Sequence, residues 1–334
     1  MFKRMMASLG VGSAKVDLVL DNDHCRIGEA ITGKVMVKGG NVDQDIHNID
    51  FDLVMKFNIK GKEFTKIVDT IRVVRNFSIR AKETRALPFE HQLPFHYPIS
   101  KGSVSYYLNT KMDIARAVDT GDTDKLVILP GRDMELIMKA LESLGFREKI
   151  GSGKIGKYGQ EFEYYPSAYF ENTIKELEIK FYKDEHNLKM FLELELTGGY
   201  FKHGTEHHTE FTLPSGLLAE GSVEKTARYI EEFLENELNY AAQEGPIRVP
   251  SYQNYHHHRQ HGHGGFGFGG FMGGIVTGML GAAMLDSLFN EENEAGDEIA
   301  SNEELDAGGG EEDGGGLLDF GDFGDFGDFG DDIF

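Results

Sequence analysis

The amino-acid sequence predicts a mainly β protein with two tandem antiparallel β-sandwich domains, a few helices, and a disordered, glycine-rich acidic tail. Three observations support this fold class. Apolar residues recur at every second position through much of residues 14–129, the period becomes helical near residue 133, and the composition changes completely after Ala242. We place the two domains at residues 1–129 and 130–242.

The clearest strand of the first domain lies in IDFDLVMKFNIK. Its odd positions from Ile49 to Ile59 are all apolar and its even positions are mostly polar, which is typical of a half-buried strand. Weaker alternation recurs on both sides of it, and turn sequences such as KGGNVDQD separate the segments. Regularly spaced alternating strands favour a two-sheet antiparallel sandwich over a parallel sheet.

The stretch RALPFEHQLPFHYPIS carries prolines at positions 88, 94 and 98. Proline lacks the backbone N–H that a central strand needs, so it is confined to sheet edges, strand starts and bulges. We therefore assign residues 85–93 to an outer strand with Pro88 at its edge. The two later prolines predict an extended exit that leads to a strand beginning near Val104.

The second domain is predicted to open and close with a helix. In LIMKALESLGF the apolar residues fall on one helical face and Gly145 is a stop signal, so we place the opening helix near residues 133–145. Ser222 is an N-cap for a closing helix near residues 222–240, which we expect to pack on this domain. Alternating apolar residues between the helices predict strands, with a hairpin at YKDEHN.

The net charge of −22 belongs to the end of the chain. Residues 286–334 contain 18 acidic and no basic residues, which leaves 38 acidic against 34 basic residues in the rest, a net charge of −4. Neutralising nucleic-acid phosphates requires a basic face. We therefore exclude nucleic acid as a partner.

Cys25 is the only cysteine, which excludes an intrachain disulfide and a cysteine-based metal site. A reducing compartment is the simpler interpretation. The apolar part of MFKRMMASLGVGSAKVDL is too short for the core of a signal peptide. We expect a cytoplasmic protein, with the inner face of the membrane as an alternative location.

Residues 243–263 form a histidine-rich linker. A divalent ion such as Zn, Ni or Cu could bind weakly to its imidazoles, while the alternative is a spacer whose charge rises near pH 6. These candidate ligands are His256, His257, His258, His261 and His263. Three further histidines, at positions 203, 207 and 208 in KHGTEHH, are interpreted as surface residues of a loop.

Residues 264–289 form an apolar segment that resembles a glycine zipper. Its small-xxx-small row lets backbones approach closely, as in paired membrane helices, and consists of Gly270, Gly274, Gly278 and Ala282. The uninterrupted apolar run of 15 residues is shorter than the roughly 20 residues that span a membrane. Three interpretations stay open: self-association or contact with a partner helix, insertion at a membrane, and an unstructured linker.

Residues 290–334 are acidic and glycine-rich, a composition that predicts disorder. The tripeptide DFG occurs four times, but the other motifs of a protein kinase are missing from the sequence, so we reject that interpretation. The alternatives are a solvated tail and a tail that binds a groove or a basic surface through regularly spaced aromatic residues. Those residues are Phe320, Phe323, Phe326 and Phe329.

Continuing the strand alternation from Val104 places Arg116 on the apolar face of the first domain. An unpaired cation there would be unfavourable, so Arg116 needs a carboxylate partner. Asp113, Asp119 or an acid of the second domain are the candidates. The alternative is that the strand leaves the core at Ala115 and Arg116 is solvated.

Several segments in order resemble one known family. LPFEHQLPFHYPIS resembles part of the arrestin scaffold, and DIARAVDTGDTDKLVILP, LIMKALESLGFREK, GQEFEYYPS and KELEIKFY resemble the sporulation-control family of the stage-zero M type. The resemblance covers roughly residues 1–240. It implies two arrestin-like sandwiches joined by a buried polar cluster, and a regulatory, non-enzymatic role linked to sporulation control and to contact with the cell-division machinery.

No catalytic arrangement is found in the sequence, and we expect no cofactor. The leading interpretation is a non-enzymatic arrestin-like regulator or adaptor that binds protein partners through its sheet edges and inter-domain groove, with homo-oligomerisation as a further option. A peripheral membrane scaffold, held by residues 264–285, is the alternative.

Overall fold

The fold is described by a computed structural model, in which residues 12–115, 119–156, 158–183, 188–197 and 205–248 are placed. We refer to residues 12–129 as the N-terminal part and to residues 130–248 as the C-terminal part. Their buried apolar side chains form one connected cluster. The domain boundary after residue 129 therefore stays a prediction.

The described residues of the N-terminal part form two sheets. The strands are β1 (Lys15–Leu20), β2 (His24–Arg26), β3 (Ala30–Lys38), β4 (Gln44–Ile59), β5 (Lys62–Ile79), β6 (Thr84–Gln92), β7 (Ser105–Ile114) and β8 (Thr120–Leu129). One sheet has the order β1-β3-β6 and the other the order β2-β8-β7-β4-β5. Neighbouring strands are antiparallel except for the short parallel pair of β2 and β8.

The two sheets pack face to face. Phe51 of β4 meets Phe89 of β6 edge to face, with ring centroids 4.8 Å apart. At the other side of the sandwich, a carboxylate oxygen of Asp122 on β8 accepts a hydrogen bond from the Leu18 N–H of β1 at 3.1 Å. The predicted two-sheet sandwich is confirmed.

Strand β4 shows how the sequence pattern builds this core. Its odd positions from Ile49 to Ile59 are at most 4% exposed, as the alternation predicts. Asp52 on the opposite face is also buried. Its carboxylate is satisfied there, because it accepts hydrogen bonds from the Thr70 hydroxyl at 2.7 Å and the Lys111 ammonium at 2.6 Å.

The prediction for the proline-containing strand is confirmed. Strand β6 lies at the end of its sheet and pairs with β3, with Pro88 opposite Lys34. An edge position tolerates a residue that cannot donate a ladder hydrogen bond. The next strand, β7, begins one residue after the predicted Val104.

The described C-terminal part is a six-stranded antiparallel sheet with helices. The elements are α1 (Arg132–Ser143), β9 (Phe146–Glu148), β10 (Lys154–Gly156), β11 (Gly159–Pro166), β12 (Ile174–Lys183), β13 (Leu188–Leu196), β14 (Thr205–Thr212), α2 (Ser215–Glu220) and α3 (Val223–Glu244). The order is β10-β11-β12-β13-β14, and β9 pairs with the other end of β11. The predicted hairpin is confirmed, because Lys183 pairs with Leu188.

Both predicted helices are present. Helix α1 is followed by Gly145, whose φ of +86° is the left-handed conformation that suits glycine after a helix. Helix α3 begins after Ser222, whose hydroxyl accepts a hydrogen bond from the Lys225 N–H at 3.4 Å. It continues to Glu244, four residues beyond the predicted end.

Helices α1 and α3 cover one face of this sheet. Ile137 of α1 and Ile230 of α3 border the same small apolar space as Ile179 and Leu192 of the sheet. Aromatic packing adds to this layer, since the rings of Phe211 and Phe233 lie 4.3 Å apart. The layer that closes the second sheet is therefore helical, and the mainly β class is confirmed for the described chain.

Candidate functional site

The segment after β6 connects the two parts of the protein. The Tyr106 hydroxyl donates to the Pro98 carbonyl at 2.8 Å. Ser100 makes a reciprocal pair of hydrogen bonds with the Ile128 backbone: its N–H donates at 2.7 Å and its hydroxyl oxygen accepts at 2.9 Å. The segment is thereby fixed to the sandwich.

Gln160 of β11 holds the same segment from the C-terminal part. Its side-chain oxygen accepts a hydrogen bond from the Ile99 N–H at 2.8 Å, and its side-chain nitrogen donates to the Ile99 carbonyl at 3.0 Å. The nitrogen also donates to the Gly153 carbonyl at 2.9 Å. One amide side chain thus satisfies backbone groups of both parts.

A small apolar cleft lies beside this contact. Its volume is about 70 Å³, and it is lined mainly by apolar side chains that include Ile27, Met55, Phe95, Met134, Phe162 and Phe181. Burial raises the pKa of the neighbouring Tyr97 hydroxyl to about 12 and lowers the pKa of His96. Both side chains are therefore neutral at physiological pH.

Three ion pairs lie near the cleft or at the neighbouring contact between the two parts. They join Arg26 to Glu135 at 2.7 Å, Lys183 to Asp133 at 2.7 Å, and Lys101 to Glu148 at 2.6 Å. The Lys183 and Asp133 side chains are only 18% and 15% exposed, so water screens this pair less than a surface pair. Lys183 and Asp133 both belong to the C-terminal part, whereas the partly buried pairs Arg26–Glu135 and Lys101–Glu148 connect the two parts.

The polar cluster predicted around Arg116 stays a prediction, because Arg116 lies outside the described residues. Asp119 accepts a hydrogen bond from the Ile114 N–H at 3.2 Å across the β7–β8 connection, and Asp113 is half-buried at the end of β7. Sequence reasoning missed the ion pairs at the cleft. Asp133 and Glu135 in the first turn of α1 indicated that basic partners could lie nearby. The sequence does not identify Arg26 and Lys183 as those partners.

The interpretation of His207 and His208 as surface loop residues is wrong. Both lie in β14, where they are 1% and 8% exposed. The Nε2 atom of His207 lies 2.8 Å from the Glu237 carboxylate of α3, and its Nδ1 accepts from the Ile247 N–H at 3.1 Å. Histidine and threonine occur in both loops and strands, so the sequence pattern was ambiguous.

Other predicted site residues lie outside the described part of the chain. They are His203, the linker histidines (His256, His257, His258, His261 and His263), the glycine-zipper row (Gly270, Gly274, Gly278 and Ala282) and the tail phenylalanines (Phe320, Phe323, Phe326 and Phe329). None of the helices in the described residues combines the length and the apolarity of a membrane-spanning segment.

A long sheet edge lies on the N-terminal part. Strand β5 has 18 residues, ends its sheet and pairs with β4. Register shifts place bulges in β5 near Val68 and Val73, and the Val68 carbonyl accepts a hydrogen bond from the Tyr97 hydroxyl at 3.3 Å. Ile67, beside the first bulge, is 50% exposed. We call this strand the β5 edge.

The comparisons with known proteins agree with one another. The family described as "Spo0M: SpoOM protein" matches residues 2–198. Sporulation-control protein spo0M of Bacillus subtilis (strain 168) is 34% identical in an alignment of 206 residues that covers 58% of this chain and 80% of that protein. The crystal structure of Spo0M, a sporulation control protein from Bacillus subtilis, matches with a TM-score of 0.56 and 30% identity, covering 68% of this chain and 99% of that chain.

These matches confirm the resemblance drawn from ordered segments of the sequence. The family match covers more than half of the chain, and the solved structure shares the overall fold. This chain belongs to the Spo0M family of sporulation-control proteins.

Proposed function

We propose that this protein is a non-enzymatic regulator or adaptor that binds other proteins, and that the β5 edge takes an extended, acidic segment of a partner by strand addition. The observation that carries this proposal is the length and exposure of β5 at the end of its sheet. The family relationship supports a regulatory role in sporulation control.

The charge of the β5 edge favours an acidic segment. The strand contains four bases, Lys62, Lys66, Arg72 and Arg75, against two acids, Glu63 and Asp69. Strand addition supplies affinity through backbone hydrogen bonds, while side chains select the partner. A partner strand with carboxylates would therefore be preferred over a basic one.

Other sheet edges are less suited to strand addition. Pro88 removes an N–H from β6. On β14 the His208 N–H already donates to the Ile247 carbonyl at 2.9 Å. Strand β2 has only three residues, too few for an extended partner segment. The bulges of β5, by contrast, leave regular stretches such as Lys62–Ile67 on either side of them. The β5 edge is the longest of these edges.

Photo-crosslinking in the source cells tests this proposal. A photo-crosslinking amino acid replaces Ile67 on the β5 edge. The control protein carries the same crosslinking amino acid in place of Lys125, on the distant strand β8. We expect an adduct from position 67, and its loss when Arg72→Glu and Arg75→Glu are added. As a charge control, Lys34→Glu and Lys38→Glu change the net charge by the same amount as the arginine pair, but they lie on β3 of the other sheet. This control pair should leave the adduct intact. An adduct that survives both pairs, or disappears with both, would contradict binding at this edge.

A second candidate function is a peripheral membrane scaffold. The uncharged glycine-rich sequence of residues 264–285 favours it. Protein that stays in the salt-washed membrane pellet, and becomes soluble when Gly270, Gly274 and Gly278 are replaced by Asp, would support this function. Protein found only in the soluble fraction would reject it.

A further inference from the structure

The two faces of the six-stranded sheet differ in chemistry. Helices α1 and α3 cover the apolar face. The opposite face carries a row of directly paired residues from four strands: Glu163, Glu178, Glu193 and His208. Directly paired residues project from the same face, and adjacent like charges destabilise a sheet. This row of three carboxylates therefore needs compensating cations.

Lysines compensate one end of the row. The Lys154 ammonium lies 3.0 Å from Glu163. Lys180, which is 4% exposed, contacts Glu178 and lies 3.3 Å from Glu161. The carboxylates of β11 and β12 are thus neutralised within the sheet.

The other end of the row has a different arrangement. Glu193 lies 3.6 Å from Nδ1 of His208, and Glu206 lies 3.8 Å from Nε2 of the same ring. Both separations are too long for good hydrogen bonds. Lys180 reaches Glu193 only as a longer-range charge, since its ion pairs within 4.0 Å among the described residues are with Glu161 and Glu178. Two carboxylates therefore converge on one histidine without a lysine or arginine described within 4.0 Å.

The spacing fits the ligands of a metal ion. One ligand atom each from Glu193, Glu206 and His208 lies within 4.8 Å of the other two. Tetrahedral ligands at about 2.0–2.2 Å from one zinc ion are about 3.3–3.6 Å apart, so side-chain rotations that move the ligand atoms by about 1 Å would close the set. The Glu206 side chain is 58% exposed and has room to turn, while the backbone bond to Ile247 fixes the position of His208.

The burial of the group also suits a cation. His208 is 8% exposed, and the side chain of histidine binds a metal ion through a neutral ring nitrogen. Glu193 lies directly beside Glu178 of the neighbouring strand, and a bound cation would offset the repulsion between the two carboxylates.

We propose that Glu193, Glu206 and His208 form a zinc-type divalent metal site on the polar face of the six-stranded sheet. One nitrogen and two oxygen ligands suit Zn²⁺, and a fourth position is left for water or for a ligand from a partner. This site uses no residue of the β5 edge or of the histidine-rich linker, so its failure would not affect the proposed function.

Calorimetric titration of the full chain with Zn²⁺ tests the site. The linker histidines 256, 257, 258, 261 and 263 are first replaced by Asn, so that they cannot contribute. We expect one equivalent of Zn²⁺ to bind this background. Loss of an outer-shell group alone weakens metal binding by about 10–100-fold, so His208→Gln should weaken it by at least about tenfold. His47→Gln, at an exposed histidine of β4, is the matched control.

Glu206→Gln keeps the test decisive if His208→Gln does not fold. Its side chain is exposed, so circular dichroism should be unchanged, while Zn²⁺ affinity should fall by at least about tenfold. In the same background, Co²⁺ should give a visible absorption band that Glu206→Gln alters. Absence of Zn²⁺ binding, or affinity unchanged by Glu206→Gln, would overturn the proposal.

Discussion

The side-chain amide of Gln160 and the backbone of Ile99 form a reciprocal pair of hydrogen bonds, at 2.8 and 3.0 Å, between the two parts of the protein. A backbone group with no partner in a partly buried position is unfavourable by about 1–3 kcal/mol. This residue pair therefore couples the proline-containing exit of the sandwich to the second sheet.

Replacing Gln160 by Ala should lower the free energy of unfolding by about 1–3 kcal/mol, because Ile99 and Gly153 lose their partners. Urea denaturation followed by circular dichroism measures this change. Glu171→Ala, at an exposed position, is the control and should stay within about 0.5 kcal/mol of the wild type. Equal stability of the two variants would show that the contact contributes little.

Replacing His207 by Ala should destabilise the protein by about 2–3 kcal/mol, since it removes a buried ring bonded to helix α3 and to the Ile247 backbone. Nδ1 accepts a hydrogen bond, so the proton lies on Nε2 and is donated to Glu237. Amide hydrogen exchange should accelerate in the last turns of α3. His47→Ala should leave these amides unchanged, and slow exchange in both variants would contradict this role of His207.

Asp124 should make stability depend on pH. Burial, followed by the charges of Asp122 and Asp17, raises its pKa from 3.8 to about 6. The folded state therefore holds the proton to higher pH than the unfolded state, and its contribution to stability is lost as pH rises from about 4 to about 6. After allowance for solvent screening, Asp124→Asn should stabilise the protein by about 1 kcal/mol at neutral pH.

Urea denaturation at about pH 4 and about pH 7.5 measures this effect. Wild type and Asp124→Asn should be similar at the lower pH and differ at the higher one. Asp21→Asn, at an exposed position, should not reproduce the difference. If Asp124→Asn is less stable than the wild type at neutral pH, the ionised Asp124 carboxylate stabilises the folded state and the prediction is wrong.

Replacing Pro88 by Val should promote self-association, because the edge strand β6 gains an N–H that it otherwise lacks. Light scattering at increasing concentration measures the association. Ala86→Val adds a β-branched residue to the same strand without adding an N–H and should stay as dispersed as the wild type. If both variants associate equally, the added apolar side chain causes the association, and the prediction that the new N–H allows strand pairing is wrong.

Local sequence patterns predicted the elements whose cause is local. The alternation from Ile49 to Ile59 predicted the buried face of β4 because side chains alternate between the faces of a strand. Gly145 and Ser222 predicted helix boundaries because caps act within one turn. Pro88 predicted an edge strand because a missing N–H excludes pairing on both sides.

Contacts between distant residues were not predictable in this way. Gln160 meets Ile99 across 61 positions, and His207 meets Glu237 across 30. Nothing in the local pattern distinguishes these residues from solvated polar side chains. His207 of β14 was misassigned for the same reason, since its partner Glu237 lies on a helix that follows later in the chain.

By itself, the sequence determined the mainly β class, the buried face of β4, the helix boundaries at Gly145 and Ser222 and the family, because periodicity, caps and segment order are properties of neighbouring residues. The tertiary structure decided which polar side chains meet: Gln160 with Ile99, Lys183 with Asp133, and His208 with two glutamates. Strand register and helix packing set these encounters, and both depend on folding of the whole chain.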